Sequence, residues 1–495
     1  MKKIAGLLVI LVIVLLGAYY SMGYLTERNV KRTIANLNEV NGLFADIEQY
    51  DRGWFTADAM INWNFRVPER VVKTNGQSKT VPAKDYSVQM PLKIYHGPII
   101  FSDTGLHFGL GYAHTDLKLP QNYAKQFDEM FTASSERPKL SLSLFVNYLN
   151  KTDVVVGVPS FKLIAKKGDG EFEWLGMSST TSVSSNLNTV DGEFKIEGFR
   201  LSKDKTKIKM GNFSTTYDLY RSSRGLMLGE ANLDFPIFTI TNDKAKLFEV
   251  AGVTLNSKSD VDDDLFNAHL KASLDKVYAT GQTYGPGRVE MFLRNLDAEV
   301  LAKINAQTAA AQHGTEAEQR QALLSTLPLL PKLFSKGAEF EISALKFTMP
   351  QGTIEGHLLL SVPKGEDVNP LAMIQKVTGN GKLSIPEDVL RTFMRESVKQ
   401  KLLQKPDIQQ ALVQQMQKNN QASSDENDAA ATQTDSSNPP NFDQMVEARV
   451  NQNLAVLTQV GALVKQDSYY VIEFKLENGK LTINDKPFNP AMLNF

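Results

Sequence analysis

The chain has 495 residues, 54 lysines and arginines against 55 aspartates and glutamates, and no cysteine. That near-neutral balance gives no electrostatic reason to expect nucleic acid, and the missing thiols exclude disulfides, thiolate metal sites and a lipidated N-terminal cysteine. With 42% hydrophobic residues, the sequence reads as a folded chain of two or three core-forming units or one extended β structure.

From Ile4 to Leu25 there is no charged residue, after Lys2 and Lys3. At about 1.5 Å per helical residue this run reaches roughly 33 Å, enough to cross a hydrocarbon core of about 30 Å. Residues 1–25 are therefore expected to be a membrane anchor helix. Tyr19, Tyr20 and Tyr24 stand where interfacial aromatics would, and a helical pattern continues through Val30, Ile34 and Leu37. A cleaved signal peptide, with Ser21-Met22-Gly23 as its small-residue site, is the competing reading. Arg28, Lys31 and Arg32 dilute the charge asymmetry that would orient the span.

From about Asp46 to Arg294 apolar and polar residues alternate with period two, the mark of strands with one buried face. Leu140, Leu142, Leu144 and Val146 form one such row, Val289, Met291 and Leu293 another. In the clearest, Phe266, Ala268, Leu270, Ala272 and Leu274 share a face opposite Asn267, His269, Lys271 and Ser273. Three similar segments start at Leu175, Met210 and Val250, each with a glycine (Gly176, Gly211, Gly252), and suggest a repeated long hairpin. Polar turns are expected at Asp191-Gly192, Ser202–Lys205, Ser222–Gly225 and Asn242–Lys244. Near the end of the chain, Asn478-Gly479 marks a tight hairpin between Phe474–Leu476 and Leu481–Ile483.

Helices are expected through Leu296, Val300, Leu301 and Ile304, and after a Thr315/Glu318 capping box. Others should start at Asn369-Pro370, at Pro386 with Val389, Phe393 and Met394 inward, and through Val446, Val450, Leu457, Val460 and Val464. Residues 417–441 are almost entirely Gln, Asn, Ser, Asp, Ala and Pro, the composition of a disordered linker or loop insertion. The fold class is α+β and β-dominated: an N-terminal transmembrane helix, then a long antiparallel meander sheet, twisted or curved, with several packing helices. Residues 26–416 and 442–495 form its β-rich domain.

Two short stretches carry a family resemblance: Tyr50-Asp51-Arg52-Gly53-Trp54-Phe55-Thr56 and His96-Gly97-Pro98. With the anchor, the segment Gly252–Leu274 and the closing Gly479-Lys480-Leu481-Thr482-Ile483-Asn484, the chain resembles the YdgA/YihF family of bacterial inner-membrane proteins of unknown function. The resemblance implies one N-terminal span with the bulk of the chain in the periplasm, and no catalytic residues. Arg52, Gly53, Trp54, His96, Gly97 and Pro98 are the candidate motif residues. Their structural reading is a turn glycine beside a buried aromatic, and a Gly-Pro turn with a backbone-bonded histidine.

No HExxH, nucleophile elbow, P-loop or dinucleotide fingerprint is present, and Ser-x-x-Lys occurs without its partner motifs. His107 and His114 lack metal-ligand spacing, and Asp260–Asp264 lack the glycine and glutamate of a calcium loop. Neither metal nor cofactor is expected, and the reading is non-enzymatic. Beside a membrane, a long alternating sheet with few helices points to lipid or another apolar ligand on the face bearing Phe266, Ala268, Leu270, Ala272 and Leu274. A scaffold for other envelope proteins is the alternative, an enzyme of unknown type a further one, and homo-oligomerisation is compatible with each.

Overall fold

The computed structural model describes residues 2–40, 44–67, 70–74, 77–81, 84–102, 105–118, 121–243, 245–311, 316–365, 370–404 and 442–488. The chain divides into two compact units, Met1–Val261 with Ala302–Thr326, and Asp262–Leu301 with Leu327–Phe495. The 417–441 segment and Thr315 of the expected capping box lie outside the described residues.

The first unit opens with helix α1 (Lys2–Val40). Strands β1 (Phe44–Arg52), β2 (Thr56–Val67), β3 (Arg70–Thr74), β4 (Gln77–Val81) and β5 (Lys84–His96) follow. Then come β6 (Ile100–Ser102), β7 (Gly105–His107), β8 (Gly111–Lys118), helix α2 (Gln121–Met130) and β9 (Lys139–Val146). The run continues with β10 (Thr152–Val158), β11 (Phe161–Ile164), β12 (Glu171–Val183) and β13 (Thr189–Lys203). It closes with β14 (Thr206–Met210), β15 (Phe213–Arg221), β16 (Met227–Asn242) and β17 (Ala245–Asp262). The main ladder runs β1-β2-β5-β8-β9-β10-β12-β13-β15-β16-β17, antiparallel at every step, while β3-β4 and β6-β7 are side hairpins. Expected turns appear at Asp204, Gly225 and Asp243, all with positive φ. Asp191-Gly192 is a correction: both residues lie inside β13, paired with Asp218 and Tyr217, and the chain reverses instead around Leu187. Glycine is required there by space, since a Cβ on Gly192 would lie 2.5 Å from the Thr180 carbonyl oxygen.

Helix α1 closes one end of this ladder. Ile34 meets Ala45, Ala57, Ala59, Ile61, Met90, Leu92, Ile94 and Ala113 in a buried cluster, with Val30 and Ile47 packed against it. Among the described residues no helix is long and apolar enough to cross a membrane. The transmembrane expectation is thus unsupported at this level; the described side chains of α1 begin at Val12.

The second unit begins with β18 (Leu265–Leu274), β19 (Lys276–Ala279), β20 (Gln282–Tyr284) and β21 (Gly287–Asp297). Helices α3 (Ala298–Ala311) and α4 (Glu316–Thr326) follow, Ala302–Thr326 counting with the first unit. Next are α5 (Leu330–Phe334), β22 (Glu339–Met349), β23 (Gly352–Ser361), α6 (Pro370–Lys376), β24 (Thr378–Pro386) and α7 (Glu387–Leu403). The unit ends with α8 (Phe442–Gln459), β25 (Val464–Gln466), β26 (Tyr469–Glu477), β27 (Lys480–Ile483) and β28 (Lys486–Pro487). Its ladder runs β18-β21-β22-β23-β24-β26-β27, again antiparallel. Asn478 and Gly479 both take positive φ between Glu477 and Lys480, as the hairpin signature predicts. Val398, Val446, Val450, Leu454, Leu463 and Tyr470 join α7 and α8 to the β26 end of this sheet. Three sequence expectations are corrected. Leu296 lies in β21, and α3 starts at Ala298 because the Asp297 carboxylate caps the Val300 amide at 3.0 Å. Phe393 is exposed while Val389 is buried, and Val464 belongs to a strand because α8 stops before Gly461, at φ +78.

Candidate functional site

The two motif stretches, some forty residues apart in sequence, meet on α1. Arg52 lies over the rings of Tyr20 and Tyr24, at 5.1 and 5.7 Å, and reaches Glu27 at 3.3 Å. Trp54 packs 5.8 Å from Tyr20, and Phe55 edge-on to Tyr19 at 4.8 Å. Trp54 is exposed, which corrects its reading as a buried aromatic. Gly53 forms the turn, its amide donating to the Thr56 carbonyl at 2.8 Å. His96 is fully buried against Gly23 of α1, where a Cβ would come within 2.6 Å of its Cε1. A Cβ on Gly97, whose φ is +130, would overlap the Tyr19 ring, and the Tyr19 hydroxyl donates to the Ile99 carbonyl at 2.5 Å, next to Pro98. The motif is thus the seat of the helix.

The His96 ring faces the Thr56, Tyr19 and Gly53 backbone, in line with the expectation of a backbone-bonded histidine, although neither ring nitrogen makes a well-aligned hydrogen bond. Burial pushes the imidazole below its ordinary pKa, against the opposing pull of the Thr56, Tyr19 and Gly53 backbone. On the same flank burial pushes the Tyr50 phenol up to about 12, with Glu27 adding to the effect.

Across β9–β17 the first unit carries a second feature. At one level every strand after β9 is interrupted: between Val158 and Phe161, at Gly176 in β12, at Gly198 in β13, between Met210 and Phe213, and at Pro236 opposite Gly252. Register shifts flank Gly176, whose φ is +129, and Gly198 has φ +115. A Cβ on Gly198 would overlap the Met210 carbonyl oxygen. Bulges aligned across neighbouring strands crease a sheet, and each takes one residue out of the alternation. Apolar residues accordingly stand three apart across the crease, as Val158/Phe161, Trp174/Met177, Ile196/Phe199, Met210/Phe213, Phe235/Phe238 and Val250/Val253. One apolar face therefore continues through the bend. Phe161 and Trp174 stack at 6.2 Å, Phe172 and Phe199 lie 5.8 Å apart, and Phe213 and Phe235 6.3 Å apart. These residues are half-buried, and of the fully buried apolar side chains only Leu228 comes from β9–β17. The opposite face holds ion pairs such as Arg200–Glu173 at 2.7 Å and Lys258–Glu230 at 2.7 Å.

In the second unit, Phe266, Ala268, Leu270, Ala272 and Leu274 do share one face of β18. They pair with Leu296, Leu293, Met291, Val289 and Gly287, and through β21 with Phe340, Ile342, Leu345 and Phe347. All five are half-buried. Behind them, His269 donates to Glu290 at 2.8 Å and stacks on Phe292 at 4.1 Å, while Arg294 covers Phe292 and pairs with Glu341 at 2.7 Å. The His269 hydrogen bond is the main reason the Glu290 carboxyl titrates below its usual range. The candidate motif lies in the first unit and the candidate face in the second.

Among the described residues no cluster of three histidines or carboxylates is arranged to hold a metal. What the arrangement offers chemically is apolar surface, backed by charge.

Fold and faces together define a β-dominated, antiparallel protein whose sheets keep one apolar side half covered, with a long N-terminal helix seated on the first. The chain matches, over residues 1–491, the family described as "Bacterial protein of unknown function (DUF945)", and it belongs to that family. No curated protein and no solved structure matches it.

Proposed function

We propose that the chain is a single-pass, inner-membrane-anchored envelope protein with its bulk in the periplasm, which binds acyl chains or another apolar ligand on its open sheet face without catalysing a reaction. One observation carries the ligand reading: the apolar face of β9–β17 continues through the crease with its large side chains only half-buried. Large apolar patches left in contact with water mark binding sites more often than accidents. The anchor reading is supported by the uncharged run Ile4–Leu25, by the continuity of α1 from Lys2 to Val40, and by the exposure of Val12–Leu16.

Native mass spectrometry of detergent-extracted protein tests the ligand reading. Phospholipid or fatty acid should leave with the intact chain. Phe199→Asp and Phe213→Asp, at the centre of the face, should abolish its retention while the protein still folds. Retention of lipid by both variants, or a partner chain in place of lipid, would overturn the reading, the second outcome in favour of a scaffold. A periplasmic reporter fused after Phe495 should be active in the membrane fraction; its release with soluble periplasmic contents would mean cleavage of the N-terminal segment.

A further inference from the structure

The turns of the first unit differ in kind between the two ends of its ladder. Register places three of them side by side at one end, because Thr56 pairs with Tyr95, His96 with Gly111, and Val146 with both Gly111 and Thr152. These are the β1–β2 turn, the β5–β8 excursion that holds the β6-β7 hairpin, and the β9–β10 turn. All three present large apolar side chains to solvent: Trp54 and Phe55, then Phe101, Leu106 and Phe108, then Leu149. Phe101 and Leu149 are 71% and 87% exposed.

These side chains are held by their surroundings. Phe101 and Leu106 pair across the β6-β7 hairpin, and Ile100 beneath them is buried against Tyr95 and Tyr112. The Tyr148 hydroxyl donates to the Pro98 carbonyl, which ties the β9–β10 turn to the β5–β8 excursion. At the other end of the ladder, the turns after β11 and β13 carry Lys166, Lys167 and Asp169, then Lys203, Asp204 and Lys205. Turns are ordinarily polar, so only the first end needs an explanation. It is also the end at which Tyr19, Tyr20 and Gly23 of α1 meet the sheet.

We infer that these three turns form a lipid-facing skirt, which settles the first unit on the bilayer surface around the point where α1 enters. This rests on the anchor reading and adds a second, independent contact with lipid. Aromatic and aliphatic side chains next to a membrane-entering helix lie at the depth of the headgroup and upper acyl region, where burial stabilises the ring and a polar tip stays wet. The skirt would fix the unit's height and tilt on the membrane, and so bring its β9–β17 face to a defined distance from the lipid.

The absence of cysteine makes the test direct, since any introduced thiol is unique. Phe101→Cys, Leu149→Cys and, at the opposite end, Lys167→Cys are labelled with an environment-sensitive fluorophore in the full chain. Each is reconstituted into vesicles of phosphatidylethanolamine and phosphatidylglycerol, with or without a doxyl-labelled phospholipid. Probes at 101 and 149 should shift to the blue and lose most of their emission to the doxyl lipid, while the probe at 167 keeps its own. Quenching at 101 and 149 no greater than at 167 overturns the skirt. Resistance of the vesicle-bound chain to alkaline carbonate reports the anchor separately. Carbonate release with selective quenching retained sinks the anchor and leaves the skirt; carbonate resistance without selective quenching does the reverse.

Discussion

At the α1 end of the first unit the sheet is lined with alanines, Ala45, Ala57, Ala59 and Ala113, whereas along β9–β17 the same ladder carries Phe194, Ile196, Phe199, Phe213 and Phe235. Both regions alternate with period two and both are antiparallel. They differ in what lies above them. A helix approaches a sheet more closely where side chains are small, and in one cross-strand row Ala57 and Ala113 flank Ile94 beneath α1. Along β9–β17 the large side chains lean on their lateral neighbours and stay half exposed. Residue size along an alternating face thus separates the region under the helix from the region whose large side chains stay half exposed.

Cutting into the closed region should have the largest effect. Ile94→Ala removes a side chain that is 1% exposed and should cost about 2–5 kcal/mol, read as the shift of the urea midpoint. Phe199→Ala on the open face should cost about 1–2 kcal/mol, since part of the ring is already in water. Equal losses would break the comparison, for the open face would then be core.

Next in size is the crease. Gly198→Ala adds a Cβ against the Met210 carbonyl at φ +115 and should cost about 3 kcal/mol. Gly168→Ala meets nothing within 4 Å at φ +83 and should cost about 1 kcal/mol of backbone strain alone. Similar values for the two would mean that the crease tolerates a straighter strand.

Acid should loosen the helix seat selectively. His96 is neutral in the folded chain with its pKa depressed, while in the unfolded chain it takes up a proton below the ordinary value of 6.5. The unfolded state therefore binds more protons, so stability is complete above about pH 6.5 and falls as pH drops through that value. Arg52, next to the imidazole, acts in the same direction. His96→Gln should flatten the slope of melting temperature against pH between 7 and 5; an unchanged slope would assign it to other groups. The smallest effect belongs to the polar face, where Arg200→Ala breaks an exposed pair with Glu173 and should move stability by about 0.5 kcal/mol or less.

Much of the ladder was legible because strands with one apolar side announce themselves. The rows at Leu140–Val146 and Phe266–Leu274 appear as β9 and β18, and the Asn478-Gly479 turn closes β26 on β27. The Gly176, Gly211 and Gly252 repeat was visible too, but its meaning was not. Those residues mark a level shared by neighbouring strands, and only register shows that Gly198 and Pro236 stand on it as well. The three-residue apolar spacing across each interruption was available as a signal, had alternation been followed through the breaks. Asp191-Gly192 misled because a glycine needed for lateral room under Tyr217 has the composition of a turn. The exposed aromatics of the β1–β2 and β5–β8 turns stayed hidden for a different reason: local sequence does not say which loops share an end of a sheet.

The crease also acts on the chain as a phase marker. Deleting Glu197, the residue left over opposite Met177 and Gly176, would restore strict alternation through β13. It would leave Ile196 and Phe199 on one face, now two residues apart, whereas deleting Arg200, away from the crease, would turn Leu201 to the side now held by Lys195. Single-residue insertions and deletions elsewhere in these strands are therefore frameshifts in three dimensions, exchanging the two faces of everything on one side of the change. The same changes in the turns at Leu187 or Gly225 only lengthen or shorten a loop.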